Sequence, residues 1–158
     1  FFLNNEMDDF SSKPGVPNQF GLIGAEANSI QPGKRMLSSM SPTIIDRKGK
    51  LFMVLGSPGG STIITSVVQT FLNVYEFNMT MQQAVDAPRF HMQWLPDDIM
   101  MEAGGFSLKL QDSLRGLGYA IDTTNAPVIG KVDAILSLPN AKLEGGADRR
   151  GDDKAIGY

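Results

Sequence analysis

The chain has 158 residues, 42% hydrophobic and 20% charged, enough for one compact core and ordinary for a globular domain. A net charge of −3 and the lack of any basic cluster leave no electrostatic footprint for nucleic acid or an anionic membrane surface. With no cysteine and one histidine, disulfides, zinc thiolate sites, a thiol nucleophile and a multi-histidine metal site are excluded within this chain, and no cofactor is expected.

Phe1-Phe2-Leu3 reads as the tail of a strand already under way, with no methionine before it, so the start of the protein is expected upstream. Asn4 to Phe10 then packs Glu6, Asp8 and Asp9 together ahead of a Ser/Lys/Pro/Gly-rich loop. That loop runs to about Arg35, long enough to predict a lid or binding loop. Thr43-Ile44-Ile45 and Lys50 to Leu55 flank the turn Asp46 to Gly49 and predict a hairpin. The second strand is apolar on both faces, which places it centrally in a sheet covered on both sides.

Leu55-Gly56-Ser57-Pro58-Gly59-Gly60-Ser61 ends that strand and opens a helix whose apolar residues fall at Ile63, Ile64, Val67, Val68, Phe71, Leu72 and Tyr75. Burying such a stripe at roughly 1.5–3 kcal/mol per side chain would stabilise the core by on the order of 10–20 kcal/mol before entropy is counted. The opposite face, Thr62, Thr65, Ser66, Gln69, Thr70 and Asn73, carries no charge and is expected to be covered too. A short helix follows over Met81 to Val85, then an extended aromatic segment from Arg89 to Pro96 and a short strand from Ile99 to Glu102. Phe106 to Leu117 predicts a helix closed by Gly118, and Tyr119–Ile121, Lys131–Leu136 and Ala141–Glu144 predict strands. The charged tail from Ala147 reads as superficial. No internal repeat or interior boundary divides the chain, so residues 1–158 read as part of one domain.

Three stretches carry possible chemistry. Gly-x-Ser-x-Gly is absent, the glycine turn lacks the Gly-Lys-Ser/Thr ending of a phosphate-binding loop, and the acidic cluster lacks EF-hand spacing. The pair Gly59-Gly60 is either a tight strand-to-helix connection or an oxyanion hole, where close-approaching amides stabilise a tetrahedral oxygen. Glu6, Asp8 and Asp9 form either a solvated acidic loop or a site whose mutual repulsion a substrate ammonium would relieve. Ser38-Ser39 is either a turn before a strand or a pair of hydroxyl donors for a carboxylate. His91, among Phe90 and Trp94, reads as structural. Ammonium, carboxylate and oxyanion positions together describe a site for an amino acid whose acyl group is transferred, yet no residue is an obvious nucleophile.

The runs Asn4 to Phe10, Lys13 to Asn18, Leu37 to Thr43, Gly56 to Ser61, Ala87 to His91 and Gln93 to Pro96, with Lys34-Arg35, Asn73, Ala84 and the closing Gly157-Tyr158, resemble the small subunit of γ-glutamyltranspeptidases from end to end. The resemblance implies an α+β fold, a four-layered αββα sandwich of the N-terminal-nucleophile hydrolase type, present here in part. It also implies a self-cleaving precursor whose new N-terminal threonine attacks the γ-glutamyl amide of glutathione, its own α-amine serving as base. That threonine, and the large subunit expected as partner in a heterodimer, would lie upstream of Phe1, so this chain by itself is expected to be inactive. The acyl group would pass to an amino acid, a peptide or water. By the same resemblance Glu6 and Asp9 bind the substrate α-amino group, Ser38 and Ser39 hold its α-carboxylate, and Gly59 and Gly60 form the oxyanion hole. The loop from Pro14 to Ala25 corresponds to a lid, with Phe20 where lidded members often carry tyrosine, so a hydroxyl for a lid-closing hydrogen bond is missing. Location in the periplasm, at the cell surface or outside the cell follows from the family alone. The alternatives are a cephalosporin or glutaryl acylase-like amidase of the same fold, and a non-catalytic homologue that has lost its nucleophile.

Overall fold

The computed structural model describes residues 6–124 and 128–157. The strand expected over residues 1–3 lies outside the described residues. Two compact units are present, the first ending at Met40 and the second running from Ser41.

The first unit is loop held by hydrogen bonds rather than by long elements. Short 3₁₀ turns at Met7–Asp9 and Glu26–Asn28 bracket it. The excursion between them is pinched at its neck, where Ser11 bridges Ser29 in parallel and Ser11 N–H donates to the Asn28 carbonyl at 2.9 Å. Near its tip Pro17 bridges Ile23, and the Asn18 carboxamide oxygen accepts from the Phe20 and Leu22 amides at 2.9 and 3.1 Å. A closed neck with a self-bonded tip is the construction of an Ω-loop, so the predicted lid is an ordered excursion.

The second unit holds a four-stranded antiparallel sheet in the order β1 (Thr43–Arg47), β2 (Lys50–Gly56), β6 (Asp133–Ser137), β7 (Leu143–Gly146). A smaller sheet joins β3 (Phe90–His91), β4 (Ile99–Met101) and β5 (Ile121–Asp122). The helices are α1 (Ile63–Tyr75), α2 (Met81–Asp86) and α3 (Leu108–Gly116). The predicted hairpin is present, and β2 is central as expected. Its register shifts after Ile45, where Phe52 is left without a partner between Met53 and Leu51. The bulge turns Phe52 to the helical side, where it meets Tyr75 edge-on at 6.4 Å beneath the Arg47 guanidinium.

Helices α1 and α2 cover one face of the large sheet. Met53, Leu55, Ala134 and Leu136 pack there with Ile63, Val67, Val74, Met81, Ala84 and Val85. On the other face Ile44, Val54 and Ile135 stand directly side by side on three neighbouring strands and are exposed among the described residues. The expectation that β2 is covered on both faces therefore holds for one face only.

Helix α1 buries part of each side: Ile63 and Val67 from the apolar stripe, with Val74, and, as expected of the opposite face, Ser66 and Thr70, while Ile64, at 64% exposure, and Val68 are exposed. Hydrogen bonds hold the polar side inward, apart from Thr70, whose Oγ1 has no partner among the described residues. Ser66 Oγ donates to the Thr62 and Ile129 carbonyls, Gln69 pairs with both backbone groups of Phe90, and Asn73 Nδ2 donates to the Ala84 carbonyl. Those side chains satisfy backbone groups that the sheet and helices leave open, and burial of an unsatisfied backbone group would cost more than exposing part of an apolar stripe. In α3 Leu108 and Leu117 are exposed and Gln111 is buried; Ser107 caps its start, and Gly118 follows its end as predicted.

The tail expected to be superficial contains the most buried carboxylate. Asp148 is fully buried and pairs with the equally buried Arg89 at 2.7 Å, and Arg150 joins Asp148 at 3.0 Å and Glu102 at 2.6 Å. Arg89 further donates to the Val85 and Ile129 carbonyls, and Asp148 accepts from the Val132 amide at 2.8 Å. Burial would raise the Asp148 pKa, but the Arg150 and Val132 amides and the Arg89 guanidinium outweigh it and hold the carboxyl below the usual carboxylate range. A depressed carboxyl pKa adds stability above its unfolded value, lost as pH falls through the folded one. Asp133 works in the opposite sense, because burial and the nearby Asp153 and Asp148 raise its pKa.

Removing one partner of such a buried pair costs about 3–5 kcal/mol. Asp148→Asn in the complete protein is therefore expected to lower the thermal midpoint at pH 7. It should also flatten the wild-type loss of stability below about pH 4, and melts between pH 3 and 7 on both proteins measure the two effects together.

Candidate active site

The turn from Gly56 to Thr62 is built around positive backbone angles. Gly59 has φ +143° and Gly60 φ +57°, conformations open to glycine at little steric cost. A Cβ on Gly59 would also stand 2.6 Å from Thr62 Oγ1 and 3.1 Å from the Gly130 Cα. Thr62 answers with its own side chain, donating from Oγ1 to the Gly59 carbonyl at 2.8 Å, and the chain enters α1 through a 3₁₀ turn over Gly60–Thr62. The amides of Gly59 and Gly60 donate to no acceptor among the described residues. They are the free donors at the head of a helical segment, where negative charge is stabilised.

A second strip of backbone supports this turn. Ser57 Oγ accepts from the Lys131 amide at 2.9 Å and donates to the Pro58 carbonyl at 2.6 Å. Ser66 Oγ holds the Ile129 carbonyl, and a Cβ on Gly130 would collide with both serine hydroxyls. Arg89 and Asp148 grip the same strip at Ile129 and Val132. The buried ion pair is thus one packing step behind the glycine amides. Sequence reading found Gly59 and Gly60 but not Ser57, Thr62, Ser66 or Gly130. A Ser/Thr two places after a Gly-Gly turn was a usable signal; the distant Gly130 had none.

In the first unit the structure brings two predicted residues together. Ser39 Oγ donates to Asp9 Oδ1 at 2.5 Å across a sequence separation of 30. Glu6 caps the same 3₁₀ turn from the other side, its carbonyl accepting the Asp9 amide at 3.1 Å. The Glu6 carboxylate and the Ser38 hydroxyl are exposed and have no partner among the described residues. Phe20 lies at the tip of the loop, partly exposed. His91 is structural as expected, buried between Thr65 Oγ1 and Gln93 Oε1, each at 2.9 Å from a ring nitrogen. No group of three or more His, Asp or Glu among the described residues could hold a metal ion.

A family model described as gamma-glutamyltranspeptidase matches residues 1–158. The glutathione hydrolase proenzyme of Escherichia coli strain K12 is 47% identical over 157 residues, 99% of this chain and 27% of that protein. The chain thus spans about a quarter of the length of the curated relatives it matches. A crystal structure of a mutant Helicobacter pylori gamma-glutamyltranspeptidase has a TM-score of 0.88 at 53% identity, covering 96% of this chain and 82% of that one. A cephalosporin acylase from Bacillus halodurans is similar in fold, with a TM-score of 0.73 at 24% identity over 83% of this chain and 25% of that one.

If Gly130 is the packing surface for the turn, Gly130→Ala should loosen it specifically. Faster amide hydrogen exchange in peptides spanning 56–62, with β3 and β4 unchanged, is the expected result by mass spectrometry.

Proposed function

Because the chain belongs to the γ-glutamyltranspeptidase family, we propose that it forms the C-terminal part of a small subunit that transfers or hydrolyses the γ-glutamyl group of glutathione and other γ-glutamyl amides. The observation that carries this reading is the Asp9–Ser39 contact, which sets a carboxylate and a hydroxyl side by side with Glu6 at the head of the same turn as Asp9. A carboxylate pairs with an α-ammonium and a serine hydroxyl donates to an α-carboxylate, so the two ends of one amino-acid head group find matched partners.

In this reading an N-terminal threonine supplied from upstream attacks the γ-carbonyl. Its Oγ–C bond forms as its proton moves to the terminal amine, and the carbonyl oxygen gains negative charge. The Gly59 and Gly60 amides, already without acceptors, donate to that oxygen. Collapse of the intermediate breaks the C–N bond, the departing amine takes the proton, and water or an acceptor amine releases the glutamyl group. In this reading the loop over residues 14–25 corresponds to the lid of the glutamyl pocket, and Phe20 at its tip offers no hydroxyl for a lid-closing hydrogen bond. The compartment proposed is the periplasm, the cell surface or the exterior, on family grounds.

The partner proposed is the large subunit of the same precursor. The apolar row Ile44, Val54 and Ile135 supports it, since an uncovered sheet face of this kind calls for another layer. The acylase-like alternative retains the fold but needs no ammonium site, so Glu6 and Asp9 would have nothing to bind; their presence favours a glutamyl substrate.

Expressed from the complete reading frame, Asp9→Ala should cut kcat/KM for a γ-glutamyl anilide by ~10²-fold or more, each lost charge-assisted hydrogen bond being worth ~1.5–3 kcal/mol. Undiminished turnover would remove the amine site from the assignment. Gly59→Ala should lose ~10²–10³ in kcat if its amide serves the oxyanion. For the partner, Ile135→Asp is expected to abolish co-elution of the two subunits in size-exclusion chromatography, and normal co-elution would count against the sheet face as their interface.

A further inference from the structure

We propose that Asn28 is a positioning residue that fixes the separation of Asp9 and Ser39, and thereby the shape of the clamp for the substrate's α-amino-acid head. The inference rests on the γ-glutamyl reading above. Asn28 closes the 3₁₀ turn Glu26–Asn28 and is half-buried. Its Nδ2 donates to the Asp9 carbonyl at 2.7 Å, and its Oδ1 accepts from the Leu37 amide at 3.2 Å. One planar carboxamide therefore spans the residue that bears the carboxylate and a residue two places before Ser39.

The stretch around Ser39 has little else to hold it. Among the described residues, 35–40 make two hydrogen bonds, the Leu37 amide to Asn28 and the Ser39 hydroxyl to Asp9, and belong to no helix or strand. Both lead to the same pair of anchors. Without the carboxamide, Ser39 would remain tied by its own hydroxyl alone, which a bound substrate carboxylate must compete for. Ordering that stretch would then be charged against substrate binding. The main chain of Asn28 does a related job, its carbonyl receiving the Ser11 amide at 2.9 Å at the neck of the lid excursion. The base of the lid and the spacing of the clamp thus depend on one residue.

Only an amide serves both ends. Aspartate keeps an acceptor for Leu37 but sets an oxygen against the Asp9 carbonyl; glutamine adds a methylene and changes the span.

The test uses the complete, processed enzyme with γ-glutamyl-p-nitroanilide. Asn28→Asp and Asn28→Ala should each raise KM about tenfold while kcat stays within threefold, because the clamp is misplaced and the reacting carbonyl and its amides are untouched. Combined with Ser39→Ala, Asn28→Ala should add little further to KM, since both act through the same clamp. Unchanged KM in both single variants, a fall in kcat at constant KM, or fully additive effects in the double variant would overturn the proposal. So would failure of both single variants to fold, which would make Asn28 purely structural. A wild-type enzyme that does not cleave the γ-glutamyl anilide would instead refute the functional reading.

Discussion

The second unit depends on one buried ion pair. Arg89 and Asp148 are both removed from water, an arrangement that is tolerable because nearly every remaining polar position is met by backbone: Val85 and Ile129 carbonyls for the guanidinium, Val132 and Arg150 amides for the carboxylate. Burial pulls the Arg89 pKa down while Asp148 pulls it back, so each charge is kept by the other. The pair joins three stretches far apart in sequence: the end of α2, the strip before β6 and the tail after β7. Arg150 and Glu102 extend the network to the start of β3, since Glu102 Oε2 also accepts the Arg89 amide at 3.0 Å.

That network matters to the glycine turn because the strip it grips is the surface on which the turn rests. Free backbone donors are useful for catalysis only if they stay where charge develops and do not relax to find acceptors of their own. Here Ser57, Thr62 and Ser66 occupy the neighbouring carbonyls and amides, and Gly130 removes the side chain that would push the turn away. Among the described residues, the amides of Gly59 and Gly60 are left without acceptors by a surrounding that has already satisfied itself.

The first unit solves a similar problem with no core. It brings Asp9 and Ser39 together through short turns and side-chain amides, with Asn28 bonded both to the neck of the loop and to the stretches that carry Asp9 and Ser39. Such a construction is rigid only where each backbone group has a partner. The large sheet has the opposite character: well packed beneath α1 and α2, it leaves Ile44, Val54 and Ile135 exposed on its other side.

Several features were legible in sequence because they are local. The β1–β2 hairpin, the strand-turn-helix around Gly59-Gly60 and the glycine after α3 each follow from residues within a few places of one another, as do the acidic cluster at Glu6 to Asp9 and the serine pair. The resemblance of these runs to one family supplied their proposed roles, which spacing alone left open. Three things were decided only by tertiary structure. That Ile64 and Val68 of α1 stay exposed while Ser66, Gln69 and Asn73 turn toward Ile129, Phe90 and Ala84 was settled by tertiary hydrogen bonds, since a count of apolar residues cannot weigh an unsatisfied carbonyl against an exposed isoleucine. The burial of Asp148 depended on Arg89, in a segment 59 residues earlier. The meeting of Asp9 with Ser39 through Asn28 likewise required the chain to return on itself, and no local pattern encodes a partner so distant.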